Sequence, residues 1–211
     1  MIEYLILAYA PALFIMWYVY HKDRIEPEPK RYVVATFLIA STVSPLIAMI
    51  FEAPFPQELA AFVAPFIEEP AKLLAVYFPY RRRQMDGIMD GVVYGVAAGL
   101  GFAAFENLMY GISYGSEVAM IRAFLTPIAH STFTALSGVG LGLKAEGKTL
   151  SVKPYLAMAM MFHLWWNVSA VMSFMTLAMF AANLAVLYSL IRLGMREDVQ
   201  KIEYYIMRRK I

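Results

Sequence analysis

Seven times along this chain an apolar segment returns that is long enough to approach the thickness of a bilayer, at about residues 2–20, 32–51, 57–78, 88–110, 118–143, 154–172 and 174–191. A hydrocarbon core of about 30 Å takes roughly twenty residues of helix to cross. Inside it every backbone polar group must be satisfied within the segment, which makes helices the spanning element. From Pro154 to Ile191 the one charged or titratable residue among Asp, Glu, Lys, Arg and His is His163. As a single helix that stretch would reach about 57 Å at 1.5 Å per residue, nearly twice the core, so it is predicted to fold back as two spans. The expectation is an all-α fold, a polytopic membrane protein built as a bundle of about seven transmembrane helices in one integral membrane domain over 1–211. With 61% of residues hydrophobic and 16% charged, a water-soluble domain is excluded.

The basic residues test this division. Lys22, Arg24, Lys30 and Arg31, then Arg81 to Arg83, then Lys144, Lys148 and Lys153, then six from Arg192 to Lys210 fall between or after spans, and seven spans put all sixteen on one side. The opposite loops, 52–57 and 111–122, carry only Arg122. The positive-inside rule then predicts a multi-pass protein of the cell membrane with its N-terminus outside and its C-terminus cytoplasmic. Met1 leads into apolar residues with no basic region or small-residue cleavage site, and is read as opening an uncleaved first span. The basic tail over 192–211, with Tyr204, Tyr205 and Ile206 interspersed, is expected along the inner surface against anionic lipid. The net charge of +2 says little by itself, and the placement of the basic residues points to a lipid bilayer; no nucleic-acid partner is expected. There are no cysteines, so any metal would rely on His and carboxylate ligands.

Against this background Glu68, Glu69 and Lys72 stand out, three ionisable groups within five residues near the middle of the third apolar segment. Each charge at mid-bilayer costs at least about 2.5–3.5 kcal/mol on insertion scales, so they need partners or water. A self-neutralising Glu68–Lys72 pair at i,i+4 accounts for two of them and leaves Glu69 over. Pro70 removes a backbone donor just there. Other spans carry Glu106 with Asn107 and Tyr110, His130, and His163 with Asn167 at i,i+4. Counting from the span ends puts Glu68, His130 and His163 near the midplane and Glu106 nearer the outer face. The catalytic core is accordingly drawn at about 57–172. Gly87, Gly91, Gly95 and Gly99 form a stripe on the fourth segment that suits close helix packing and receives no catalytic weight.

Glu68-Glu69-Pro70-Ala71-Lys72, Phe105-Glu106-Asn107-Leu108-Met109-Tyr110, His130 with Gly138 eight residues on, and His163-Leu164-Trp165-Trp166-Asn167 resemble, in order, the four motifs of the PrsW family of intramembrane proteases. That family is related to the CAAX prenyl endopeptidases and bacteriocin-processing membrane proteases. Lys72 and Glu106-Asn107 depart from the prenyl-protease pattern, which favours PrsW-like activity. The resemblance implies an endopeptidase acting on a membrane-anchored protein, in some bacteria an anti-sigma factor.

Peptide hydrolysis requires an activated water, an oxyanion stabiliser and a proton for the leaving amine. A carboxylate in an apolar setting is the better base near neutrality, so Glu68 or Glu69 is the expected water activator. His163 and Asn167 are expected to bind the water or the oxyanion, His130 and Glu106 to complete the catalytic set, and Lys72, Asn107 and Tyr110 to support it. Zinc held by His130, His163 and Glu106 and a metal-free glutamate mechanism are both compatible with these residues. Water is expected to enter from outside, so that cleavage falls in the outer half of the substrate's span. The rival reading is a proton- or ion-coupled transporter using the same Glu, His and Lys groups. It lacks the internal repeat and paired broken helices usual in transporters.

Overall fold

The computed structural model describes residues 1–170 and 173–208. Among the described residues seven α-helices follow in order: α1 (Ile2–Tyr20), α2 (Lys30–Glu52), α3 (Ala60–Arg81), α4 (Ile88–Tyr114), α5 (Ser116–Ala145), α6 (Lys153–Ala170) and α7 (Ser173–Arg208), with a short 3₁₀ turn at Gln57–Leu59 before α3. No strand occurs among the described residues. α1, α2, α4 and the Met175–Tyr204 part of α7 are long and apolar enough to cross a membrane. α3, α5 and α6 carry most of the polar groups described below, which dilutes their apolar character. The end of the sixth expected span, at 172, lies outside the described residues.

The bundle is arranged around a central pair, α4 against α5, with α1, α2, α3, α6 and α7 outside it. α4 is buried along nearly its whole length, as expected of a helix enclosed by other helices. The outer helices instead expose large apolar side chains such as Phe14, Leu38, Phe62, Trp165 and Leu177, a surface suited to lipid. The glycine stripe finds its partner in α5. Positions built as Cβ atoms at Gly91 and Gly99 would lie 2.5 Å from the Gly138 carbonyl oxygen and 2.2 Å from that of His130, so only a hydrogen fits between the two backbones.

Two expectations change. The outer loop drawn over 111–122 shrinks to Gly115, whose φ of 89° permits a reversal that a side chain would strain. Arg122 therefore stands inside α5 instead of in a loop. At the other end, the tail does not begin a separate surface segment at residue 192, because α7 continues unbroken for 36 residues. Its last turns are tied to the bundle: Ile88 N–H donates to Glu197 Oε2 at 2.8 Å, Lys201 Nζ donates to the Asp86 carbonyl at 2.8 Å, and Lys148 pairs with Glu197. Arg209 and Lys210 fall outside the described residues.

Candidate active site

The site begins with helix periodicity. Glu68, Glu69 and Lys72 lie at i, i+1 and i+4 on α3, so the lysine can reach both carboxylates along one face. Its ammonium is fully buried and uses its three donors on three acceptors: Glu68 Oε2 at 3.0 Å, Glu69 Oε1 at 2.8 Å and His130 Nδ1 on α5 at 3.0 Å. The ring of Phe102 on α4 covers it at 4.2 Å. A buried ammonium is tolerable only when paired and hydrogen-bonded in this way. Glu69, expected to be left over by a Glu68–Lys72 pair, is instead the most committed group. Its Oε1 also meets His163 Nδ1 on α6 at 2.8 Å, and its Oε2 accepts from Thr134 Oγ1 at 3.3 Å.

The two histidines take different parts. Lys72 donates to His130 Nδ1, so the ring proton of neutral His130 belongs on Nε2, which faces Glu106 Oε2 at 3.1 Å. The carboxylate of neutral His163's partner Glu69 fixes its proton on Nδ1, leaving the Nε2 lone pair 3.9 Å from Glu68 Oε2. Glu106, expected a step nearer the outer face, reaches His130 directly. Its other neighbour is Arg122, with Nη2 2.8 Å from Oε2; neither donor is aimed well enough at that oxygen to form an aligned hydrogen bond. Arg122 is itself held by Asn107, whose Oδ1 accepts from Arg122 Nε at 3.0 Å and from Thr126 at 2.7 Å, and its guanidinium stacks over Tyr110 at 3.7 Å. Asn107 and Tyr110 thus support Arg122.

Five of the six expected catalytic residues, Glu68, Glu69, Glu106, His130 and His163, come together with Lys72. Asn167 does not. It shares a face of α6 with His163, but its amide donates to the Ala61 carbonyl at 3.0 Å, about two turns along α3 from Glu68, where it ties α6 to α3. Two residues were missed. Arg122 stands four and eight residues before Thr126 and His130, a helical spacing that could have marked it. Glu52, at the end of α2, keeps a buried Oε1 without a hydrogen-bond partner and lies within electrostatic reach of Glu68 and Glu106. No periodicity singles out a carboxylate at a helix end.

The cluster is sealed at Glu69, Lys72 and His130 and opens at the other side, where the Glu106 and Arg122 side chains are 24% and 18% exposed. That side belongs to the end of the bundle poor in basic residues.

A catalytic zinc needs about three protein donors converging at 2.0–2.2 Å. His130, His163 and Glu106 do not converge in this way, and no group of three His or acidic side chains among the described residues is placed to hold a metal. The reason is local: His130 Nδ1 is taken by Lys72 and its Nε2 faces Glu106 alone among the described residues, at 3.1 Å, while the Lys72 ammonium stands within 3.0 Å of both Glu68 and Glu69.

The family described as PrsW family intramembrane metalloprotease matches residues 28–193, a span that includes every residue of the cluster. Relatives named Protease PrsW include one from Shouchella clausii, 33% identical over 150 residues that make up 67% of this chain and 70% of that protein. Another from Geobacillus kaustophilus is 31% identical over 147 residues, 63% of each chain. The Bacillus subtilis relative is 29% identical over 147 residues, 63% of this chain and 65% of its own. No solved structure matches the chain.

Proposed function

The chain belongs to the PrsW family of intramembrane proteases and is a membrane-embedded peptidase, and from that premise we propose that Glu68 is the base that activates the hydrolytic water. The observation that carries this is the difference between two adjacent carboxylates. Both oxygens of Glu69 are engaged, by Lys72, His163 and Thr134, whereas Glu68 spends only Oε2 on Lys72 and keeps Oε1 uncommitted. A base must have a lone pair free to accept the water proton. The free Nε2 of His163, close to Glu68, is the second acceptor able to orient that water.

In this reading the water attacks the scissile carbonyl as Glu68 takes its proton. The carbonyl π pair becomes the oxyanion, and Glu68 returns the proton to the amine as the C–N bond breaks. Arg122, the cation at the open edge, faces the developing charge. Glu69 holds Lys72 and His163 in place and Asn167 holds α6 to α3.

The substrate is a membrane-anchored protein, of the anti-sigma-factor kind to which the family resemblance points. With the N-terminus outside and the C-terminus cytoplasmic, the opening near Glu106 faces outward and the cut falls in the outer half of the substrate's span. A transporter reading gains nothing from relatives named as proteases. The test is a comparison of membrane-protein fragments in cells carrying the wild type or Glu68→Gln. Uncut substrate should accumulate with the variant, and an unchanged fragment set would refute the proposal.

A further inference from the structure

α1 and α7 both pack against α4 and α5 but have no extensive contact with each other, and between them runs a groove of about 430 Å³. Its floor is Ile128 of α5, and its walls include Phe14 of α1 and Leu184 and Leu187 of α7. This is the volume of a small-molecule site, for which about 300–1,000 Å³ is usual. Lys22 and Arg192 close one end of the groove. We propose that this groove binds an anionic diacyl phospholipid, with acyl chain against the apolar walls and the phosphate between Lys22 and Arg192.

Three observations support that occupant. Length is the first: Arg192 stands eight positions after Leu184 on α7, about 12 Å of rise, and Phe14 to the end of α1 at Tyr20 rises about 9 Å with Lys22 two residues beyond, which is most of the roughly 15 Å depth of one leaflet's hydrocarbon. Second, the cations stand at the interface end of the groove, on the side that carries nearly all the chain's basic loop residues, where headgroup phosphates lie. Third, both cations lack a carboxylate partner within ion-pair distance among the described residues, and each is steadied by an aromatic neighbour. Lys22 lies 4.7 Å from the Tyr18 ring centroid, and Arg192 lies 5.7 Å from that of Tyr188 and donates to its hydroxyl at 3.4 Å. Two aromatic-backed cations at the mouth of an apolar slot complement a phosphate on a hydrocarbon tail. A bare apolar slot would not distinguish one lipid from another.

The experiment uses the full chain in detergent, with binding of phosphatidylglycerol and of phosphatidylcholine of matched chains followed by native mass spectrometry and by the thermal midpoint. Phosphatidylglycerol should bind more tightly and raise the midpoint more. Lys22→Gln with Arg192→Gln should weaken it about thirty-fold, the weight of two juxtamembrane cations, and leave phosphatidylcholine unchanged. Each single variant should lose about five-fold, which keeps the test open if the double variant is poorly folded. Leu184→Trp, which fills the groove, should weaken both lipids. Lys144→Gln with Lys153→Gln, two exposed cations on the same side of the bundle, should change neither. Water-soluble glycerol phosphate should not protect. Equal binding of the two lipids, equal loss with the Lys144 and Lys153 pair, or protection by glycerol phosphate alone would each overturn the proposal, as would displacement of the bound lipid by a substrate's transmembrane peptide.

Discussion

Gly99→Ala adds one methyl group at a point of the α4–α5 contact where backbone meets backbone, and its effect can be worked from the structure. The new Cβ would lie 2.2 Å from the His130 carbonyl oxygen and 2.6 Å from its carbonyl carbon, and ordinary contact begins near 3.4 Å. The α5 backbone must therefore retreat by about 1.2 Å at His130, because the obstacle is backbone and cannot rotate away. His130 moves with it, stretching its contacts to Lys72 at 3.0 Å and Glu106 at 3.1 Å. Overpacking of this kind costs about 1–3 kcal/mol, and a misplacement of about 1 Å in a catalytic constellation costs about 10²-fold in rate. Gly91→Ala is the internal comparison. Its Cβ meets the Gly138 carbonyl oxygen at 2.5 Å, on the same helix pair but eight residues, about 12 Å, away along α4. The two variants should lose comparable stability in a detergent thermal-unfolding assay. Cleavage of a single-span substrate, normalised to folded protein, should fall about 10²-fold for Gly99→Ala and less than about fivefold for Gly91→Ala. If the two keep activities within threefold of each other, the idea that the glycine stripe positions His130 is wrong.

Lys72→Met leaves Glu68 and Glu69 buried without their cation, so it should cost about 3–5 kcal/mol and sharply reduce the yield of folded protein; a thermal midpoint within a degree or two of wild type would count against Lys72 as the hub. Glu28, in the α1–α2 connection, is pushed up from 4.5 to about 9 by burial and then by the negative charge of Asp90, while Tyr94 donates to it. Between about pH 5 and 9 the folded state therefore holds a proton that the unfolded state has released, and wild-type stability should decline as pH rises, by up to about 1.4 kcal/mol per unit. Glu28→Gln should flatten that decline, and parallel melting curves for the two proteins would show that Glu28 is not its source. For topology, a reporter fused after Ile211 should be active in the cytoplasm and one inserted at Gly115 outside it, so the reverse pattern would invert the proposed orientation.

The apolar segments were legible because bilayer thickness is a hard length standard, and helix ends such as Tyr20 and Glu52 fall within a residue of the segments drawn from hydropathy. Glu68, Glu69, Lys72, His130 and His163 stood out for the complementary reason, as titratable groups in apolar surroundings. The hairpin at Gly115 was not legible: Ser116 and Glu117 look like loop, yet one glycine with positive φ suffices and draws Arg122 into α5. The course of α7 beyond residue 191 was hidden because it depends on Glu197 and Lys201 meeting Ile88 and Asp86, more than a hundred residues earlier. Spacing along α6 put Asn167 beside His163, but the neighbouring helix decided which carbonyl its amide would meet. How His130, His163 and Glu106 are turned relative to one another was likewise beyond spacing, since it depends on Lys72 of another helix meeting His130 Nδ1.

The central claim is that Glu68 accepts the water proton while Glu69 orients the groups around it. It is tested most directly with purified protein in liposomes and a single-span substrate, comparing wild type, Glu68→Gln, Glu69→Gln and Glu69→Asp, with the product termini mapped by mass spectrometry. Glu68→Gln should remain folded and lose about 10²–10⁴-fold in rate. Glu69→Gln should also lose activity, and Glu69→Asp, which keeps the charge for Lys72 and His163, should recover part of it. The cut should map to the outer half of the substrate's span. Cleavage by Glu68→Gln at a rate near wild type would contradict the account.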